Sequence, residues 1–97
     1  MSKPTRPIML LLELLGRRWS LRILWELRKE PLTFRELQTK CDDVSPTSLN
    51  QRLKDLRDHN LVKRTKEGYG LTVWGEKVGE HLLSLSKISS EWSKKLG

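Results

Sequence analysis

The sequence predicts a single, mainly α-helical domain carrying one small β-hairpin, and three features predict it. Five segments place apolar residues at helical spacing behind a proline, serine or threonine suited to a helix start. Two short β-prone runs flank a tight turn at Lys66-Glu67-Gly68. Ninety-seven residues support only one core, because a chain of this size buries about 60–70% of its unfolded surface.

From the start of the chain, residues 1–6 are polar and expected to form a frayed tail, with residues 7–97 as the folded domain. Pro7 suits a first helical position, where its missing N–H costs nothing, and Gly16 should stop the helix after Leu15. Ile8, Met9, Leu10, Leu11, Leu12, Leu14 and Leu15 surround that helix, so one side meets the core and the other needs a second subunit. A second helix is expected from Ser20, as cap, to about Lys29, with Leu21, Leu24, Trp25 and Arg28 along one face. Glu30-Pro31 ends it. Thr33 and Glu36 then form the pattern of a capping box, with Phe34 and Leu37 turned inward, before a turn at Cys41-Asp42-Asp43.

Ser45-Pro46 announces the next helix: a hydroxyl to accept an orphan amide, then proline at the first position. Leu49, Leu53 and Leu56 make its core stripe, and it should end near His59-Asn60, with Leu61 as a core plug. Val62–Thr65 and Tyr69–Leu71 are the two strands of the hairpin. Thr72 caps a long last helix whose Trp74, Val78, Leu82, Leu85, Ile88, Trp92 and Leu96 form a continuous apolar seam, longer than the small core requires.

A helix, a short turn, a capped helix and a basic hairpin follow one another as in a winged helix-turn-helix, whose second helix enters the DNA major groove. On the expected helix, Thr47, Gln51, Lys54 and Asp58 point away from the leucine stripe, flanked by Ser48 and Asn50. Between Ser45 and Gly70 six cations, Arg52, Lys54, Arg57, Lys63, Arg64 and Lys66, face three anions. The whole chain carries 19 Lys and Arg against 12 Asp and Glu, a net +7, which favours a polyanionic partner. Ser45, Thr47, Ser48, Asn50, Gln51, Arg52 and Lys54 are therefore the candidate contacts to double-stranded DNA from the helix. Lys63, Arg64 and Lys66 are those from the wing, where the alternative is an edge strand guarded by charge. Arg17, Arg18 and Arg22 either touch flanking phosphates or only solvate the surface.

The words Leu15-Gly16-Arg17-Arg18-Trp19-Ser20-Leu21-Arg22-Ile23-Leu24, Phe34-Arg35-Glu36-Leu37, Val44-Ser45-Pro46-Thr47-Ser48-Leu49-Asn50-Gln51-Arg52-Leu53 and Tyr69-Gly70-Leu71-Thr72-Val73-Trp74-Gly75 resemble the HxlR family of bacterial and archaeal regulators. The resemblance implies a homodimer built from the terminal helices, here through Ile8, Leu11, Leu12, Leu15, Leu82, Leu85 and Trp92. It also implies two recognition helices in successive major grooves and regulation of nearby genes. Two departures stand out. Family members that sense oxidants or electrophiles use a cysteine just before the first helix, and Lys3 to Pro7 contain none. The wing is also shorter than usual for the family.

Other chemistry finds little support. Cys41 is the single cysteine, which excludes an intrachain disulfide, and Asp42 and Asp43 beside it should disfavour a thiolate. His59 and His81 have no second ligand at metal spacing, no catalytic triad or phosphate-cradling loop stands out, and no cofactor is expected. Trp19, Trp25, Trp74 and Trp92 all fall at apolar helical positions and are expected in core or interface packing. Lys3 and Arg6 before Ile8–Leu12 imitate a signal peptide, but Glu13 breaks the run and Arg17-Arg18 follows with no cleavage site. No stretch approaches the roughly 20 apolar residues of a membrane span, so a cytoplasmic, nucleoid-associated protein is expected. The rival reading is a winged-helix module for protein interaction, using the Trp74–Leu96 seam, or for non-specific DNA binding. The operator, the effector and the sign of regulation are left open.

Overall fold

A computed structural model describes residues 6–97; the expected tail lies, apart from Arg6, outside the described residues. The element order is α1 (Pro7–Leu15), α2 (Ser20–Leu27), α3 (Phe34–Lys40), α4 (Pro46–Asp58), β1 (Val62–Thr65), β2 (Gly68–Leu71) and α5 (Val73–Lys95). This is a mainly α-helical domain with one two-stranded antiparallel hairpin. Its core gathers Ile23, Leu24, Leu37, Leu49, Leu53 and Leu56 from three helices, and Leu61, Val62, Tyr69 and Leu71 close it from the hairpin side.

In α1 Pro7 holds the first position, and Gly16 ends the helix with a right-handed φ of −77° while donating to the Leu12 carbonyl at 2.8 Å. Only Leu14 of this helix is buried; Leu11 and Leu15 pack partly on the core.

The start of α2 differs from expectation. Trp19, not Ser20, is the N-cap, and it sits in the left-handed region at φ 76°. Ser20 is the first helical residue and fully buried, its hydroxyl without a partner. The inward row is consequently Ser20, Ile23, Leu24 and Leu27, at i, i+3, i+4 and i+7, and the predicted row of Leu21, Leu24, Trp25 and Arg28 is wrong by part of a turn. Leu21 is exposed, and Arg28 lies over the Trp25 ring, 3.9 Å from its centroid. A large residue turning at the cap and a small one at the first position let α2 sit close on the core.

The capping signals at Thr33 and Ser45 hold. Thr33 Oγ1 accepts from the Glu36 amide at 3.1 Å, and the Glu36 carboxylate accepts from the Thr33 amide at 2.9 Å. Those bonds hold the Glu36 carboxyl below its ordinary pKa. Ser45 Oγ accepts from the Ser48 amide at 3.2 Å, a cap worth about 1 kcal/mol. Between them, Asp42 and Asp43 both turn at φ 57°, and Gln38 secures the turn by donating to the Val44 carbonyl at 2.9 Å. The α4 stripe of Leu49, Leu53 and Leu56 is buried, and Asn60 at φ 59° turns the chain so that Leu61 plugs the core.

The hairpin pairs Val62 with Leu71, Lys63 with Gly70, Arg64 with Tyr69 and Thr65 with Gly68, so its loop is Lys66-Glu67 and Gly68 belongs to the strand. Leu32 adds an isolated antiparallel rung to β2: its amide donates to the Tyr69 carbonyl at 2.9 Å and its carbonyl accepts from the Tyr69 amide at 2.8 Å. Thr72 then caps α5 by accepting from the Gly75 amide at 3.1 Å, while its hydroxyl donates to the Asn60 carbonyl at 2.7 Å and its amide to the Leu61 carbonyl at 3.1 Å. The base of the hairpin is thereby stapled shut.

Candidate nucleic-acid interface

Helix α4 is held from beneath by its leucines and at its start by Ser45, which leaves one face free. Thr47, Asn50, Gln51, Lys54 and Asp58 are exposed on it, and Ser48 is half-buried, its hydroxyl accepting from Ser45 Oγ at 3.0 Å. Amide and hydroxyl side chains in such a row match the donors and acceptors of base edges in the major groove. The capped amino terminus adds a partial positive charge.

Lys54 pairs with Asp58 at 2.7 Å, which raises the lysine and lowers the aspartate from their ordinary values. Both groups are exposed, so the pair is weak and easily exchanged for a phosphate. Arg52 is placed differently from its neighbours. It is half-buried, with Nε donating to the Arg18 carbonyl at 2.8 Å and Nη1 to Asp55 at 2.6 Å.

On the hairpin, Lys63, Arg64 and Lys66 are exposed. Alternate strand residues face opposite ways, and the cations separate accordingly. Lys63 borders an open cleft of about 300 Å³ that it shares with Glu30, Glu67 and Glu76. Arg64 lies over the Tyr69 ring at 4.9 Å and donates to its hydroxyl at 3.3 Å. Lys63 and Arg64 thus lie on opposite faces of the hairpin. Of the other arginines, Arg22 is spent on Glu26 at 2.8 Å, Asp42 at 3.5 Å and the Lys40 carbonyl, which ties α2 to the end of α3. Arg17 and Arg18 are exposed.

The residues named for dimerisation divide. Ile8, Leu12, Leu85 and Trp92 are 50–60% exposed, whereas Leu11 and Leu15 are half-buried and Leu82 lies in the core. Trp74 is exposed too, and Trp19 is a cap rather than a mid-helix residue.

Cys41 is fully buried. Burial, first, then the nearby Glu26 and Asp42 push its thiol up from 9.0 to about 11, against the opposing pull of Arg22. Desolvation therefore outweighs the neighbouring aspartate that the sequence suggested. Native protein is expected to resist alkylation at neutral pH, with the thiol reacting only at the rate of unfolding. Because the folded value exceeds the unfolded one, the thiol's contribution to stability is complete below pH 9 and is lost as pH rises through about 11. Rapid labelling at pH 7 would contradict this.

Among the described residues no group of three or more His, Cys, Asp or Glu side chains can hold a metal, and no helix is long and apolar enough to cross a membrane.

The profile of the HxlR-like helix-turn-helix family matches residues 14–96. The chain belongs to that family. It is a family of transcriptional regulators, not of enzymes, and the HxlR-like chain shares its winged helix-turn-helix architecture with solved relatives. A structure from Thermoplasma volcanium GSS1, assigned to the HxlR family, superimposes with a TM-score of 0.78 at 28% identity, over 96% of this chain and 87% of that one. Quinone-bound YodB from Bacillus subtilis gives 0.73 at 27% identity, over 91% and 96%. A chain from Porphyromonas gingivalis W83 assigned to the MarR family gives 0.79 at 23% identity, over 94% and 96%, and shares the fold. In sequence, an uncharacterized HTH-type transcriptional regulator of Synechocystis is 28% identical over 93 residues, covering 89% of this chain and 69% of its own length. One from Methanocaldococcus jannaschii is 26% identical over 84 residues, covering 82% and 79%.

Two features of this interface were not foreseen from the sequence: the Leu32–Tyr69 rung and the attachment of Arg52 to the loop before α2. The latter joins residues 34 positions apart, and no local pattern announces such a contact.

Proposed function

We propose that this HxlR-like protein binds double-stranded DNA sequence-specifically as a homodimer and regulates transcription, by repression through occupancy. It would act in the cytoplasm on the nucleoid, without a cofactor. The observation that carries the reading is the exposed row Thr47, Asn50, Gln51 and Lys54 on a capped, core-anchored helix. Lys63, Arg64 and Lys66 serve as backbone contacts from the wing, and exposed Ile8, Leu12, Leu85 and Trp92 form the dimer surface. Sensing through cysteine is not part of the proposal, since the one thiol is sealed in the core.

Selection from random duplexes at moderate salt tests it. A recurring two-fold motif with half-sites about one helical turn apart is expected, and absence of enrichment would sink the reading. On the enriched site, Gln51→Ala should relax base preference by about 1–3 kcal/mol. Lys54→Ala and Lys63→Ala should instead weaken all sequences alike and flatten the salt dependence by about one unit each. Identical binding by all three variants would remove the site assignment. Sedimentation checks the dimer, which a concentration-independent monomer mass would end.

A further inference from the structure

The Gly16–Trp19 loop is fastened to the recognition helix although more than thirty residues separate them in sequence. Arg52 of α4 turns its guanidinium toward that loop, Nε to the Arg18 carbonyl at 2.8 Å and Nη1 to Asp55 Oδ2 at 2.6 Å. The same Asp55 oxygen takes Arg17 Nη1 at 3.2 Å. One carboxylate, 15% exposed, thus bridges two guanidiniums and leaves the cluster cationic. Trp19 turns the loop at φ 76°, and Arg18 lies 5.6 Å from its ring centroid.

Two of the Arg52 donors are committed inside the protein, while the outer arginines keep their surface: the Arg17 side chain is 44% exposed and Arg18 is open. Phosphate contacts set the register of a protein on the duplex, and base contacts then read it. A loop locked to the reading helix is suited to that first task, since its cations and the base-reading row move as one body.

We infer that Arg52 and Asp55 are positioning residues that lock the Gly16–Trp19 loop against α4, and that Arg17 and Arg18 contact the phosphodiester backbone in fixed register with Thr47, Asn50 and Gln51. The inference rests on the DNA-binding function proposed above and reassigns Arg52 from contact to support. Lysine distinguishes the two roles, because an ammonium keeps the charge but lacks the planar fork that joins the Arg18 carbonyl and Asp55 at once.

The test is the affinity and salt dependence of the full chain on its selected site and on random duplex, with folding of each variant checked by circular dichroism. Arg52→Lys and Arg52→Gln are expected to lose affinity alike, about tenfold on both DNAs, and Arg17→Ala/Arg18→Ala to flatten the salt slope by about two units. Added to the double alanine variant, Arg52→Lys should cost little more. Should an Arg52 variant fail to fold, near-isosteric Asp55→Asn replaces it with the same expectation. Wild-type affinity and slope in Arg52→Lys, with loss only in Arg52→Gln, would make Arg52 itself a phosphate contact and overturn the inference. So would an unchanged slope in the double alanine variant. A wild-type chain with no affinity for any duplex at low salt would instead remove the DNA-binding function, and this inference with it.

Discussion

Gly75→Ala is expected to be among the most damaging single-methyl additions to this domain. Gly75 lies in the first turn of α5 where the helix crosses the chain leaving α4, and a Cβ built there falls 2.1 Å from the Leu61 carbonyl oxygen and 3.1 Å from Leu71 Cδ2. The first obstacle is backbone and cannot rotate aside. That carbonyl also accepts the Thr72 amide at 3.1 Å, so pushing it away opens the staple at the base of the hairpin. Overpacking costs about 1–3 kcal/mol and sometimes more, and a rigid obstacle belongs at the upper end. Against a total stability of about 5–15 kcal/mol, and with about 4–8 °C of melting temperature per kcal/mol for a domain of this size, a fall of at least ~10 °C is expected. A melting curve within a degree or two of wild type would show that α5 can shift without cost.

Gly68→Ala should come next, with a more local effect. Gly68 combines φ +130°, which side chains rarely adopt, with a Cβ position 2.2 Å from the Leu32 carbonyl oxygen. Backbone strain of this kind costs about 1–3 kcal/mol, and the collision adds to it. The cheapest relief is to part Leu32 from Tyr69, which detaches that rung while leaving the helices packed. Hydrogen exchange should therefore accelerate at the Leu32 and Tyr69 amides more than at Leu53 or Leu56. Uniform loss of protection across the domain would mean that the rung is essential to the whole core.

The contrast between these sites and the rest explains what could be read beforehand. The Thr33–Glu36 box, the Ser45 and Thr72 caps and the Leu49/Leu53/Leu56 stripe act within four or seven residues, and their physics is contained in that window. The exposed face of α4 follows from the stripe by subtraction. The left-handed Trp19 and the burial of Ser20 were not legible, because a serine before an apolar run suits a cap equally well, and the choice falls to packing against elements far along the chain. The separation of Lys63 from Arg64 follows from the alternation of a strand already read from the sequence, whereas the role of Arg52 required knowing that α4 passes the loop before α2. A row of polar residues on a helix shows which side chains are outside, not which of them are already engaged.

The staple at the foot of the hairpin has a bearing on how such a protein can diversify. Asn60 and Leu61 are tied to Thr72 by two hydrogen bonds, and Leu32 grips Tyr69 just above, so everything from Lys66 to Glu67 is an appendage closed below its tip. Chain closure becomes costlier only slowly with length, about 0.6 kcal/mol for each doubling. Residues inserted between Lys66 and Glu67 would lengthen the arm without disturbing Gly68 or the core. For the DNA-binding function proposed above, reach along the double helix is in this sense a dial that evolution can turn by insertion and deletion, independently of α4.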